Sequence, residues 1–242
     1  MPLPKISTPI YELELPSSGK TIKYRPFLVK EEKILILALE SEDIKQITNT
    51  IKQVLKDCIL TRGIKVEELP TFDIEYIFLN VRGKSIGESI DLIVTCEDDG
   101  ETKVPVKIYV DEVQVQKNPD HKQEIQLDDK LILKMKYPSL DQFIRNNFDF
   151  TTSNTSTIDR SFEVIASCID VVYSADETWA AADCSKKELI EWVETFDTNQ
   201  FKEVEKFFNT MPKLAHTFIV TNPKTEVENE VTLEGLTSFF GS

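Results

Sequence analysis

The sequence predicts an α+β fold from three features. Apolar and polar side chains alternate with the two-residue period of strands in several segments, and turn-forming clusters between those segments indicate hairpins. Apolar stripes at helical spacing fill much of the remaining chain. The predicted architecture has an N-terminal β-hairpin and buried helices, a small central antiparallel sheet, and acidic C-terminal helices closed by a β-hairpin and a short terminal helix.

This pattern divides the chain into four regions. We predict an N-terminal hairpin plus three-helix lobe over 1–88, a small β-sheet over 89–137, an acidic helical region over 138–210, and a C-terminal β-hairpin and short helix over 211–242. The first hairpin pairs the alternating segments Tyr11–Leu15 and Thr21–Arg25 around the turn cluster Pro16–Gly19.

The stretch Lys23–Ser41 passes from a strand through a turn into the most apolar helix of the sequence. Its first turn is charged, and Ile34–Leu39 follow without a polar residue. A helix that is apolar on every side is normally enclosed by its neighbours, and this run is far shorter than the about 20 residues that cross a bilayer. We therefore expect a central core helix in which Leu35, Leu37 and Leu39 are largely buried. Leu37→Ala should then destabilise the fold by roughly 2–5 kcal/mol.

Two further helices are predicted in the N-terminal lobe. Ser41–Asp43 caps the second, which carries one apolar stripe made of Ile44, Ile47, Ile51, Val54, Leu55 and Cys58. The third opens at Thr71 and ends near Gly83. From Ser89 the period changes to two, and strands are predicted at Ile90–Thr95, Val104–Val110, Glu124–Leu127 and Leu131–Tyr137.

The acidic region is predicted to be a set of short antiparallel helices. A short helix begins at Pro138 and contains Leu140, Phe143 and Ile144, and an exposed loop follows at Thr151–Thr157. Ser185 and Glu188 form a capping box. The predicted helical stripes are Ile158, Phe162, Ile165, Ile169, Val172 and Tyr173; Leu189, Trp192, Val193 and Phe196; and Phe201, Val204, Phe207 and Phe208.

The sequence also contains an internal echo. Ile93–Cys96 runs into an acidic turn and then Val104–Ile108, and Ile219–Asn222 runs into a turn and then Val231–Leu233, at an offset of about 126 residues. This echo is either a true repeat or a coincidence, because β-hairpins share composition.

The charge of the chain excludes some partners. A formal net charge of −14 argues against nucleic acid, because phosphate binding depends on Lys and Arg. Residues 1–150 carry 21 basic and 26 acidic side chains, and 151–242 carry 7 and 16, so the C-terminal part is the more acidic. An acidic surface serves solubility or a basic partner. No segment has the length of a signal peptide core or a membrane span, so we expect a protein of the cytoplasm with no membrane partner.

Residues for catalysis or metal binding are not found in the sequence. The four cysteines are scattered without a CxxC pair, and neither of the two histidines lies near a nucleophile in sequence. Gly83-Lys84-Ser85 lacks the earlier glycine of a phosphate-binding loop, since Phe78 stands there. We predict no catalytic, cofactor-binding or metal-binding residues, no small-molecule substrate and no enzyme activity. Chelator treatment should leave the melting curve unchanged.

Three blocks of the chain resemble the baseplate hub protein family of T-even-type contractile-tailed phages. They are Leu3–Asp43, Phe72–Glu88 and the closing Leu214–Gly241. The resemblance implies a non-enzymatic protein that contacts other baseplate, hub or tape-measure proteins. Some relatives have cysteine pairs in the hairpin turns, as in a zinc ribbon, whereas Cys96 and Asn222-Pro223 stand in those turns here.

The resemblance leaves two classes of function open. One is a structural subunit of the tail baseplate hub that stays in the virion. The other is a transient assembly factor for hub or tape-measure proteins that remains in the host cytoplasm and is absent from the virion.

The C-terminal tail is the candidate partner-binding segment. Leu236, Phe239 and Phe240 lie at the spacing of one helical face, and aromatic anchors often dominate binding energy. The alternative is docking of this tail onto its own domain.

Truncation after Glu234 separates these two roles. If the tail binds a partner, the truncated chain should keep its melting temperature but lose incorporation into baseplate or hub assemblies. A melting temperature several degrees lower would instead show that the tail is a structural clasp.

Overall fold

A computed structural model of the chain describes residues 6–41, 43–140, 157–235 and 238. Its helices are α1 Val29–Glu40, α2 Ile44–Cys58, α3 Thr71–Ile86, α4 Thr157–Cys168, α5 Lys186–Val193 and α6 Thr198–Thr210. Its strands are β1 Tyr11–Glu14, β2 Thr21–Tyr24, β3 Ser89–Thr95, β4 Lys103–Tyr109, β5 Gln114–Gln116, β6 Glu124–Gln126, β7 Ile132–Met135, β8 Ile169–Tyr173, β9 Thr178–Ala180, β10 Lys213–Thr221 and β11 Glu228–Glu234. The α+β class is confirmed.

The strands form small antiparallel sheets. β1 pairs with β2 and β3 pairs with β4, as the alternating segments predict. The second predicted pair also forms, as β6 with β7, and it continues into β8 and β9. Strand β5, which the sequence did not predict, joins the edge of the β10–β11 hairpin. The segment 89–137 therefore contributes to three sheets, because its later strands find their partners in the C-terminal half of the chain.

Helix α3 lies at the centre of the larger core, which takes side chains from the first hairpin, α2, β3, β4 and β10. Its buried apolar side chains are Phe72, Ile74, Ile77, Phe78, Leu79 and Val81. Asp73 is also buried, and its carboxylate accepts hydrogen bonds from the backbone N–H of Ser17, at 3.0 Å, and from the Ser17 hydroxyl. The turn of the first hairpin is thereby held against α3.

The predicted end of α3 near Gly83 is wrong, because the helix continues to Ile86. Gly83 lies inside the helix against Val110, where an added Cβ would be 3.1 Å from Val110 Cγ2. The glycine therefore permits close packing and does not mark a helix end. The helix ends before Gly87, whose φ of 152° lies in the region that favours glycine.

The prediction that α1 is a central core helix is wrong. Leu35 is buried, but Leu37 is 50% exposed and Leu39 is 37% exposed. The buried residues of α1 are Glu31, Leu35 and Ala38, which form one narrow stripe. The helix lies at the surface because α2 and the first hairpin cover this stripe only, and α3 occupies the centre of the core.

A second core lies between the β6–β9 sheet and helices α4 to α6. Its buried side chains include Ile125 from β6, Leu133 and Met135 from β7, Ile169 from β8, Cys168 from α4, Val193 from α5, and Val204 and Phe207 from α6. The predicted helix cap at Ser185 is confirmed: its hydroxyl accepts from the backbone N–H of Glu188, whose carboxylate accepts from the backbone N–H of Ser185.

The predicted helical stripe through Tyr173 is wrong in its second half. The helix ends at Cys168, and Ile169–Tyr173 is strand β8, paired on both sides. Valines are β-branched and favour strands, and the exposed edge of β7 offers unpaired backbone groups that β8 satisfies. Over only five residues, the apolar spacing of a helix face can also fit a strand. The periodicity of Ile169–Tyr173 therefore does not distinguish a helix from a strand.

Several predicted features lie outside the described residues. They include Phe143, Ile144 and nearly all of the Thr151–Thr157 loop. Leu140, at the start of the predicted short helix, is described and buried.

One matched pair of substitutions tests the positions of α1 and α3. Leu79→Ala, at a fully buried site in α3, should lower the free energy of unfolding by about 2–5 kcal/mol. Leu37→Ala should change it by less than about 0.5 kcal/mol, because this side chain is half exposed. Denaturant melts of both variants provide the comparison. Equal losses would contradict the surface position of α1.

Candidate functional site

The outer face of α1 is an exposed, mainly apolar surface that carries one basic and one acidic side chain. It consists of Val29, Lys33, Ile36, Leu37 and Glu40, which follow one another at helical spacing opposite the buried stripe. Val29 is 82% exposed, and Ile36 and Leu37 are each about half exposed. Ile34 and Leu39 flank this face and are also exposed. An apolar patch of this kind on one short helix is typical of a protein contact surface.

A buried ion pair holds α1 in this orientation. Arg25 follows β2, and its guanidinium donates to both carboxylate oxygens of Glu31 at 2.9 and 2.8 Å. The Glu31 side chain is 1% exposed and that of Arg25 is 13% exposed. Glu31 also accepts from the backbone N–H of Leu28 at 2.6 Å, which satisfies a donor at the start of α1. Two-pronged pairing fixes direction as well as distance, so the helix is held at a defined angle to the hairpin.

The same arginine connects α1 to the end of α2. The backbone N–H of Arg25 donates to the carbonyl of Cys58 at 2.9 Å, and Leu60 N–H donates to the carbonyl of Lys23 at 2.7 Å. The first hairpin, α1 and the end of α2 thus meet at one buried charge pair. Burial would raise the pKa of Glu31, but the hydrogen bonds from Arg25 and Leu28 and the charge of Arg25 outweigh it, and the pKa is lowered.

The two hairpins of the predicted echo pack against each other. Inward side chains of both form one small cluster: Val94, Cys96, Val104 and Val106 from the first, and Phe218, Val220 and Val231 from the second. At the turns, Gly100 N–H donates to the carbonyl of Cys96, and Glu226 N–H donates to the carbonyl of Asn222. Both donors have positive φ, of 66° and 61°. The offsets from 96 to 222 and from 100 to 226 are both 126, so the turns share one backbone geometry.

Asp98 joins the two turns directly. Its carboxylate accepts from Asn222 Nδ2 at 2.9 and 3.1 Å and from the Thr225 hydroxyl, and its backbone N–H donates to Asn229 Oδ1 at 2.9 Å. Hydrogen bonds from Asn222 and Thr225 lower the pKa of Asp98. These hydrogen bonds therefore connect the two hairpin turns. Within the described ranges, no group of three His, Cys, Asp or Glu side chains is placed to hold a metal ion.

Three of the cysteines, Cys58, Cys96 and Cys168, have a raised pKa, because burial disfavours the thiolate. Burial raises the pKa of Cys58 to about 12 and that of Cys168 to about 11. Cys96 is buried in the hairpin cluster, and Cys184 is exposed. All four are free thiols.

His121 belongs to an aromatic cluster. Its ring stacks on Tyr137 and lies close to Phe207, and burial lowers its pKa. Its Nδ1 is 3.0 Å from the hydroxyl of Thr210, which itself donates to the carbonyl of Lys206. The hydroxyl proton of Thr210 therefore lies in a hydrogen bond within α6 and does not point at His121. In this arrangement His121 does not activate the hydroxyl as a nucleophile.

The clefts of the described structure show no reactive arrangement. A cleft of about 990 Å³ is bordered by the exposed charges Lys122, Glu203 and Lys206 and by the side of Phe207. An apolar cleft of about 420 Å³ lies between Trp179 and Trp192. Cys184 and Glu188 both line the apolar cleft, but the Cys184 thiol lies against the carbonyl of Ala180 and the Glu188 carboxylate accepts from the backbone N–H of Ser185 in the helix cap, so the two groups are engaged separately. No helix of the described residues is both long and apolar enough to cross a bilayer.

The predicted partner-binding residues Leu236, Phe239 and Phe240 lie outside the described residues. The outer face of α1 was missed because its apolar run was interpreted as core. The sequence does contain an indication of this face: Lys33 and Glu40 are seven residues apart and so place two charges on one side of the helix, which indicates that this side is exposed to solvent.

Replacement of Glu31 tests the ion pair that orients α1. Glu31→Gln leaves the guanidinium of Arg25 without its counter-charge, so the free energy of unfolding at neutral pH should fall by about 3 kcal/mol. Because the folded pKa of Glu31 is lowered, its stabilisation is present above the ordinary carboxyl pKa and is lost as pH falls through the folded value. The difference between wild type and variant should therefore shrink in acid. Glu32→Gln, at the exposed neighbouring position, should have little effect, and a difference for Glu31→Gln that stays constant into acid would contradict this account.

Replacement of Asn222 tests the link between the hairpins. Asn222→Ala removes a fully buried amide that donates to Asp98 and accepts from Lys224 N–H, so it should destabilise the fold by about 1–3 kcal/mol in thermal or denaturant melts. The control Asn209→Ala, on the exposed side of α6, should change stability by less than about 0.5 kcal/mol. An Asn222 variant as stable as the control would show that the two turns are not coupled.

Comparison with known proteins places the chain in a viral structural family. A family described as T4 bacteriophage base plate protein matches residues 8–241, which is nearly the whole chain. The comparisons with curated proteins and with solved structures found no match. The matched region includes the α1 outer face, the Arg25–Glu31 pair and both hairpins. The chain therefore belongs to the T4 bacteriophage base plate protein family.

Proposed function

We propose that the chain is a structural subunit of the tail baseplate hub and acts through protein–protein contacts, without a catalytic step. Family membership supports a role in the baseplate, and the resemblance of Leu3–Asp43 to hub proteins supports the hub in particular. In this role the chain meets its partners in the host cytoplasm during assembly and stays in the baseplate of the virion.

The observation that carries the proposal is the outer face of α1. Three large apolar side chains on this face, and two more beside it, contact solvent in the isolated chain. Removing apolar surface from water is favourable by roughly 25 cal/mol per Å². A partner that covers this face therefore gains binding free energy from it. Permanent interfaces are more apolar than transient ones, which favours a resident subunit over an assembly factor that leaves.

The composition of the rest of the surface agrees with this proposal. The net charge of −14 disfavours contact with the packaged genome, and it favours neighbours with basic or apolar surfaces. The buried ion pair beneath α1 fixes the helix before any partner arrives, and such pre-organisation lowers the entropic cost of binding.

Quantitative mass spectrometry of purified virions tests the resident role. We expect the chain at a stoichiometric ratio to other baseplate proteins. Absence from virions that assembled in its presence would contradict the proposal and favour the transient assembly factor.

A variant of the α1 outer face links this role to the structure. Leu37→Lys should fold normally, because the residue is half exposed, but virions should contain much less of the chain. Ile93→Lys is the matched control, since Ile93 is an exposed apolar residue of β3 and not of α1. This variant should be incorporated at the wild-type level. Normal incorporation of Leu37→Lys would show that another surface makes the contact.

A further inference from the structure

The outer face of α1 is self-complementary. Lys33 and Glu40 are equally far from the midpoint between Ile36 and Leu37, each by about 5 Å along the helix at its standard rise. The midpoint is apolar, and the two charges beside it are opposite in sign. When two copies of such a face meet in antiparallel orientation, each lysine is brought next to the glutamate of the other copy.

The two charges on this face are unpaired among the residues that the structure describes. Neither Lys33 nor Glu40 forms an ion pair or a side-chain hydrogen bond in the part of the chain that the structure describes, and both are exposed. Lys30 and Asp43 carry the same signs on the same sides of the midpoint. Of the two acidic residues in the first turn, Glu31 is buried in its pair with Arg25, and Glu32 is exposed beside the face. A parallel arrangement would place like charges together, so the pattern favours the antiparallel one.

We propose that the outer face of α1 binds the same face of a second copy of this chain, in an antiparallel pair with a two-fold axis between Ile36 and Leu37. Ile36 and Leu37 of the two copies pack at the centre, and two Lys33–Glu40 pairs flank them. This inference deepens the proposed function, on which it rests for its role in the baseplate, by naming the partner of the α1 face.

The size of the contact sets its expected strength. Two 12-residue helices bury less than a standard interface of about 1,600 Å², which is typical of weak association. The free chain should therefore be in a monomer–dimer equilibrium that shifts with concentration. Within a baseplate, neighbouring contacts raise the local concentration and strengthen the pair.

Charge reversal on the full-length chain tests the pairing. Lys33→Glu and Glu40→Lys should each weaken dimerisation at least tenfold in sedimentation equilibrium, because each places like charges opposite one another. The double variant should restore it, because the two ion pairs re-form with reversed sign. Lys33→Glu places a negative charge in the N-terminal half of α1, and Glu40→Lys places a positive charge at its C-terminus. Both changes are favourable with the helix dipole, so folding should be retained. Melts followed by circular dichroism check this.

Cysteine cross-linking tests the antiparallel geometry. In a Cys184→Ser background, which removes the exposed native thiol, Leu37→Cys should form a disulfide between copies under mild oxidation. Val29→Cys should not, because the two residues would lie about 22 Å apart along the helices. Equal cross-linking at both positions would overturn the antiparallel pair.

The outcomes separate this inference from the proposed function. A chain that stays monomeric up to its solubility limit, or whose dimer is unaffected by both charge reversals, overturns the self-association, even if virions contain the chain. A dimer with the expected response in a chain that virions lack would support the pairing and contradict the resident role.

Discussion

The contact between Arg25 and Glu31 determines what the N-terminal part of this protein can present to a partner. It lies where the first hairpin, the start of α1 and the end of α2 meet, and both of its charges are largely removed from solvent. A buried charge that lost its partner would be costly, so the pair permits one arrangement of these elements. In that arrangement α1 buries a single stripe and leaves its outer face in water.

The rest of the larger core and the hairpins attached to it support this arrangement. Helix α3 fills the centre of the larger core, and its buried Asp73 holds the turn of the first hairpin. Strand β5 joins β10, so the C-terminal hairpin β10–β11 is attached to the same core. Asp98 then ties the two hairpins together through side-chain hydrogen bonds. Attachment of this kind suits the proposed role as a structural subunit.

The sequence predicted the α+β class, the hairpins and the helix caps, because these depend on local periodicity and turn chemistry. The sequence did not predict which helix is more deeply buried. The apolar run of α1 indicated the core and the mixed sequence of α3 did not, whereas the structure buries α3 and leaves α1 at the surface, because burial depends on elements that are distant in sequence. Ile169–Tyr173 became a strand because β7 offers it a partner. The link from Asp98 to Asn222 spans 124 residues, a distance that no local pattern encodes.

The central claim is that the α1 outer face is a contact surface and not part of the core. Hydroxyl-radical footprinting of the free chain and of purified baseplates measures this directly. Ile36 and Leu37 should be modified in the free chain and protected in the baseplate, whereas Leu35 should be protected in both. Equal modification of Ile36 and Leu37 in the two samples, or protection of both in the dilute free chain, would contradict the account.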